Sequence, residues 1–204
     1  MNGKKLLALS ASALLISACG GGGSDGADPG TAPKASIGIF EDSPVAGLFY
    51  ETATRSGFTN SSGEYEYLPT ETITFSIGGI VLGSATGSEV ITPLTLVAGA
   101  TDATHPEVTN IVRLLMTLDN DGNPDNGISI STETAAAAVN QSVDFTALDL
   151  ATDPGMIALL PLLPNAPSLV DALTAQTHFS ATLAAQTKWG SMAWGNGTWQ
   201  SKAP

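Results

Sequence analysis

The sequence predicts an α+β protein in which a small antiparallel β-sandwich is followed by a helical C-terminal half. Short segments between residues 36 and 97 alternate apolar and polar residues, which is the pattern of a strand with one buried face. From Val108 onward, apolar residues recur with helical spacing instead. Strands followed by helices are typical of the α+β class. We expect a sandwich module over residues 36–100 and a helical part packed on it over residues 101–188.

The first residues of the chain predict a signal peptide over residues 1–18. Lys4 and Lys5 precede an apolar run over residues 6–16, and small residues follow that run. A basic stretch, a short apolar run and a cleavage site with small residues are typical of a secretory signal. The run is too short to remain as a transmembrane helix. We therefore expect the mature chain to leave the cytoplasm.

Cys19 is the only cysteine of the chain, and it directly follows this signal. Residues 16–19, with the sequence I-S-A-C, resemble the lipobox of bacterial lipoproteins. The resemblance implies cleavage before Cys19 and a lipid on its sulfur, which would anchor the protein in the cell envelope. Gly20 after the cysteine implies the outer membrane rather than the inner membrane, by resemblance to enterobacterial sorting. The alternative is an ordinary secreted protein with a chance cysteine.

Residues 19–35 are expected to form a flexible tether that begins at the lipidated cysteine. Gly, Ser, Pro and Asp dominate this stretch, so it has almost nothing to bury in a core. A flexible coil of this length has a root-mean-square reach of about 20 Å. The folded body would therefore stand off the membrane surface.

The charge of the chain restricts its partners. Seven Lys and Arg stand against nineteen Asp and Glu, which gives a net charge of −12. This charge repels phosphate backbones and anionic head groups. We therefore expect no nucleic-acid partner, and contact with the membrane through the lipid anchor. The predicted location in the cell envelope makes another envelope protein the expected binding partner.

The strand prediction depends on two alternating segments and the turns beside them. Glu64–Tyr67 places two tyrosines on one face, and residues 73–77 alternate between apolar and polar side chains. Residues 60–63 are typical of a turn, and Gly78-Gly79 indicates a bulge or bend before the next apolar run. Short strands punctuated by glycine and proline are typical of an antiparallel sandwich.

The same region resembles a known kind of module. D-S-P-V-A-G at residues 42–47, G-F-T-N at residues 57–60 and S-G-E-Y-E-Y at residues 62–67 are similar to carboxypeptidase-regulatory-like and prealbumin-type β-sandwich modules. Together with residues 77–83 and 110–122, the stretch resembles a domain at the front of hypothetical and adhesin-like bacterial lipoproteins. The resemblance implies a non-catalytic module and assigns a role to no particular residue.

The helical half is expected to begin at Thr104 or His105, with Pro106 in the first turn. One helical face is apolar and consists of Val108, Ile111, Val112, Leu115 and Leu118. Residues 133–140 are rich in alanine and predict a second helix.

A last helix is predicted to begin at a capping box that starts at Ser168 and to run to about Lys188. Its inward face is expected to consist of Leu169, Leu173, Thr177, Ser180, Leu183 and Ala184. Residues 189–204 form a tail that holds the three tryptophans among glycines, and this tail is expected either to pack on the sheet or to stay loose.

Residues 119–127, with the sequence D-N-D-G-N-P-D-N-G, give the sharpest signal for a binding site. Oxygen-bearing side chains recur at every second position, in Asp119, Asp121, Asn123 and Asp125. Hard cations such as calcium take oxygen ligands, and closely spaced carboxylates repel each other unless an ion lies between them. The pattern therefore predicts a candidate calcium loop.

The segment is similar to thrombospondin type 3 calcium loops. It departs from an EF-hand, because its glycine lies at position 4 of the loop and Ile130 stands at position 12. The alternative is a bare turn at the end of a helix, where Asn, Asp, Gly and Pro are common. The sequence leaves both interpretations open.

No catalytic motif is apparent in the sequence. His105 and His178 lie far apart, and neither has a spacing typical of metal ligands. We interpret both histidines as helix-end or surface residues, and Glu64 and Glu66 as a solvated strand face. The sequence therefore predicts a non-catalytic binding or accessory module, with a calcium ion as its candidate cofactor.

Residues 156–164 are unusually apolar. Met156, Leu159, Leu160 and Leu163 are candidates to line a groove for an apolar ligand. The function would then be that of a periplasmic accessory in the transport or uptake of an apolar compound. The alternative is that these side chains pack in the core between the two halves.

Overall fold

The period-two segments of the sequence form strands in the structure, a computed structural model that describes residues 34–164 and 166–192, with side chains as far as Gln186. The predicted α+β class is confirmed, with a strand-rich N-terminal region followed by helices. The predicted signal peptide over residues 1–18, the predicted lipidation site Cys19, the predicted tether as far as residue 33 and the tail beyond residue 192 lie outside the described residues.

The strands are short, and most come before the helices. They are β1 (Ser36–Phe40), β2 (Val45–Ala46), β3 (Phe49–Glu51), β4 (Ser56–Phe58), β5 (Glu64–Tyr67), β6 (Thr72–Ile77), β7 (Ile80–Thr86), β8 (Val90–Ile91) and β9 (Ile128–Ser129). A three-stranded sheet has the order β5-β1-β8, and a four-stranded sheet has the order β4-β3-β6-β7. Neighbouring strands are antiparallel, except that β1 and β8 are parallel and that β2 pairs in parallel with β9 from the helical half.

The two larger sheets pack on each other through aromatic rings. The ring centroids of Phe40 in β1 and Phe75 in β6 are 4.8 Å apart. Tyr65 in β5 lies 5.2 Å from Phe75 and 6.0 Å from Tyr50 in β3. Tyr65 and Tyr67 are both buried, as the alternation in β5 predicts. Aromatic pairs at these separations contribute beyond the area they bury, so this cluster forms the centre of the sandwich.

The helices are α1 (Pro93–Leu96), α2 (Pro106–Thr117), α3 (Thr132–Ala137), α4 (Pro154–Leu159) and α5 (Ala172–Met192), with 3₁₀ turns at Pro124–Asn126, Leu150–Thr152 and Leu160–Leu162. The start of α2 agrees with the prediction, because His105 is its N-cap and Pro106 its first residue. Among the residues that the structure describes, no helix has both the length and the apolar character needed to cross a membrane.

Helix α2 lies at the centre of the fold, and its polar face is buried as well as its apolar one. The Nδ2 of Asn110 donates to the carbonyl oxygens of Phe145 and Ala147 at 2.9 Å. The Nε of Arg113 donates to the carbonyl of Val170 at 2.8 Å. These bonds satisfy buried polar groups and fix the loops around the helix. The sandwich and the helices share one hydrophobic core, to which both sheets and α2 contribute.

The last helix differs from the prediction. Its N-cap is Asp171, whose Oδ1 accepts the Thr174 N–H at 2.9 Å, so Ser168 does not cap it. Ala175 and Phe179 are fully buried, whereas the side chain of Leu173 is 73% exposed. The predicted inward face was therefore wrong at Leu173, and also at Thr177, Ser180 and Ala184, which are exposed. Leu169 and Leu183 do pack half-buried against the core, as predicted. Apolar residues lie all around this helix, so the sequence periodicity does not determine which side docks on α2.

Candidate functional site

Residues 119–130 form a loop that begins directly after α2 and returns to its own start. Asp119 and Ile130 form an isolated antiparallel bridge across the base of the loop. The Oδ1 of Asp119 accepts the N–H of Ser129 at 2.9 Å. Val45 of β2 pairs with Ile128 of β9, which ties the returning strand to the sandwich. The base of the loop is thus fixed, and it holds the carboxylate of Asp119 in place.

The structure brings together two of the four predicted cation ligands. Asp119 and Asp121 line the same cavity, which has a volume of about 210 Å³. Asn123 is exposed at the start of the 3₁₀ turn. Asp125 lines a different groove, beside His178 of α5. The candidate site is therefore the pair Asp119 and Asp121.

The cavity also borders the apolar segment of the sequence. Its further lining consists of Thr117, Leu118, Asn120, Gly122, Thr134, Leu163, Pro164 and Pro167. Met156 and Leu159 are fully buried in the hydrophobic core, and Leu160 packs half-buried against that core. This placement favours core packing for the apolar segment over a ligand groove, although Leu163 reaches the cavity wall.

The two carboxylates of the cavity differ in their surroundings. Burial raises the pKa of Asp119, and the neighbouring charge of Asp121 adds to this effect. The side-chain amide of Asn126 and the N–H of Asn123 lower the pKa of Asp121, because they stabilise its charged form. The ionised form of Asp119 would therefore be favoured by a cation beside it.

The cavity offers few side-chain ligands. Within residues 34–164 and 166–192, no group of three or more His, Cys, Asp or Glu side chains is arranged to hold a metal ion. A cation at Asp119 and Asp121 would therefore take two carboxylates and complete its shell with other oxygen atoms, such as backbone carbonyls and water.

A second cluster of charged side chains was missed at the sequence level. Asp42, in the turn between β1 and β2, is 0% exposed. The Nε2 of His178 in α5 lies 3.3 Å from its Oδ1, and the His178 side chain is 11% exposed. The interpretation of His178 as a surface or helix-end residue was therefore wrong, whereas His105 does lie at a helix end. The D-S-P-V motif contained Asp42, but nothing in the sequence pairs it with a histidine so far along the chain.

The Asp42–His178 pair is deeply desolvated. Apart from this charged contact with His178, neither carboxylate oxygen of Asp42 has a hydrogen-bond partner among the residues described. Burial raises the pKa of Asp42, and the His178 charge opposes this effect. The Asp42 carboxylate raises the pKa of His178, with Asp125 of the 3₁₀ turn adding to it. We infer that an imidazolium–carboxylate pair joins α5 to the sandwich near neutral pH.

This pair predicts a pH dependence of stability. Both folded-state pKa values lie above the unfolded ones, so the folded state binds protons more tightly than the unfolded state and stability falls as pH rises through these values. For His178 the loss begins above the unfolded pKa of about 6.5. As pH rises above about 6.5, we expect the melting temperature to fall more steeply in the wild type than in an Asp42→Asn/His178→Gln variant. Equal slopes in the two proteins would contradict this assignment.

No known protein family, curated protein or solved structure shows a significant match to the chain. The resemblances to lipoproteins and to prealbumin-type modules therefore stay predictions from the residues that carry them.

Proposed function

We propose that this protein is a cell-envelope lipoprotein whose folded body acts as a non-catalytic binding or accessory module. The observation that carries the proposal is the N-terminal sequence, in which a signal-like stretch ends at a lipobox-like I-S-A-C and a lone Cys19. A tether rich in glycine follows, and the first strand begins at Ser36. This order suits a body held at the outer membrane by a lipid.

The sandwich carries an exposed apolar surface that supports a binding role. Phe58 at the end of β4 is 65% exposed, and Ile37 of β1 is 61% exposed. Both line a shallow cavity with Glu64 and Glu66 of β5. Clustered apolar side chains bordered by charges are typical of surfaces that contact another protein. We propose that another envelope protein is the partner.

Replacing Cys19 with serine tests the anchor. We expect the wild type to incorporate radiolabelled palmitate and to fractionate with the outer membrane. The Cys19→Ser variant should carry no label and should leave the membrane fraction, because serine has no thiol to acylate. Labelling and sucrose-gradient fractionation of cells provide the two measurements.

A Ser24→Ala variant, changed in the tether, is the matched control and should behave as the wild type does. The proposal fails if Cys19→Ser stays in the membrane fraction to the same extent as the wild type. Labelled protein in the inner-membrane fraction would keep the anchor and contradict the outer-membrane location.

A further inference from the structure

One carboxylate oxygen in the loop after α2 is buried without a partner. Asp119 is 9% exposed, and its Oδ1 already accepts the Ser129 N–H. Its Oδ2 is buried and has no hydrogen-bond partner among the described residues, although the side chain lines the cavity. A buried, unpaired acceptor on a charged group is costly, so such an atom indicates a missing ligand.

Two further sources of negative potential converge on the same cavity. Asp121 lines it, and its carboxylate lies close enough to interact with that of Asp119. Thr117 and Leu118, which also line it, are the last residue and the C-cap of α2. The C-terminus of a helix carries a partial negative charge from its free carbonyl groups. Two carboxylates and the end of α2 therefore make the cavity favourable for a cation.

We propose that the cavity between Asp119 and Asp121 binds one Ca²⁺ ion. The two carboxylates supply the charged ligands, and the carbonyl end of α2 supplies further oxygen. The volume of about 210 Å³ accommodates the ion and several water molecules. Calcium suits the site better than zinc, because no histidine or cysteine is among the residues that line it.

The ion would act as a structural link. It would hold the end of α2 against the loop that returns to β9, and β9 pairs with β2 of the sandwich. Leu163, Pro164 and Pro167, which follow α4, also line the cavity. Loss of the ion should therefore loosen several parts of the fold at once. The site is independent of the lipid anchor, so failure of either proposal leaves the other intact.

Thermal unfolding of the purified full chain at neutral pH tests the site. The protein is stripped with EGTA and then titrated with CaCl₂, and the melting temperature and calorimetric stoichiometry are measured. At a calcium concentration about 100 times its dissociation constant, we expect the melting temperature to rise by about 5–10 °C. Asp119→Asn and Asp121→Asn should each abolish this rise.

Asp125→Asn is the matched control, because it removes the same charge from the same loop at a side chain that lines the other groove. It should keep the calcium response. If Asp119→Asn does not fold, Asp121→Asn still tests the proposal, because Asp121 is exposed. The proposal is overturned if calcium leaves the wild-type melting temperature unchanged, or if Asp125→Asn loses the response while Asp121→Asn keeps it.

Discussion

Replacing His178 with alanine is expected to lower the free energy of unfolding by about 3–5 kcal/mol. The substitution leaves the fully buried carboxylate of Asp42 without its counter-charge. Removing one partner of a buried ion pair costs far more than the pair itself contributes, because the remaining carboxylate must either stay desolvated without a partner or take up a proton. Urea denaturation at neutral pH, followed by circular dichroism, measures the loss.

A second substitution separates this effect from the loss of packing. In the double variant Asp42→Asn/His178→Ala, the unpaired buried carboxylate is removed as well. We therefore expect this variant to regain part of the stability that His178→Ala loses. His105→Ala is the control for histidine removal, since the side chain of His105 makes no capping hydrogen bond at the start of α2. We expect it to cost less than about 1 kcal/mol. A His178→Ala variant as stable as His105→Ala would contradict the role assigned to the pair.

The pair also explains how α5 is held on the fold. Ala175 and Phe179 provide its fully buried apolar contacts. Leu183 packs half-buried against the core, and polar contacts add to these, including the bond from the Gln176 side chain to Thr109 at 3.1 Å and from Gln186 to Glu41 at 2.8 Å. A helix with so few buried apolar side chains depends strongly on each specific contact. We therefore expect amide exchange in α5 to increase first when His178 is replaced.

The fold class could be predicted from the sequence, because it depends on local patterns of apolar and polar residues. The alternation in β5 and β6 places Tyr65 and Phe75 in the sandwich core, as expected for a period of two. The face of α5 was not predictable, since its docking side is chosen by contact with α2 rather than by its own apolar pattern. The burial of the polar face of α2 likewise depends on loops that are distant in sequence.

The candidate cation site was predictable only in part. Alternating acidic residues identified Asp119 and Asp121, which do share a cavity. The same alternation also selected Asn123 and Asp125 as ligands. However, Pro124 begins a 3₁₀ turn, which carries Asp125 to another side of the loop. The pairing of Asp42 with His178 was not predictable, because it depends on how α5 crosses the sandwich.

Gly78→Ala is expected to destabilise the protein by about 2–5 kcal/mol, because Gly78 joins the sandwich to α3. Gly78 and Gly79 form the turn between β6 and β7. Gly78 has a φ of +56°, where an alanine costs about 1–2 kcal/mol. A β-carbon there would lie 2.5 Å from the carbonyl oxygen of Ala135 and 2.7 Å from the nitrogen of Val139. Backbone atoms cannot rotate away, so overpacking adds about 1–3 kcal/mol.

Gly99→Ala separates these two contributions. Gly99 has a φ of +80°, but a β-carbon there would have no atom within 4 Å. We expect this variant to lose only the conformational part, about 1–2 kcal/mol. Urea denaturation of both variants gives the difference, which measures the contact between the β6–β7 turn and α3. Since the N–H of Gly79 also donates to the carbonyl of Ala138 at 2.9 Å, Gly78→Ala should weaken that bond too. Equal losses in the two variants would show that the turn does not depend on α3 for its stability.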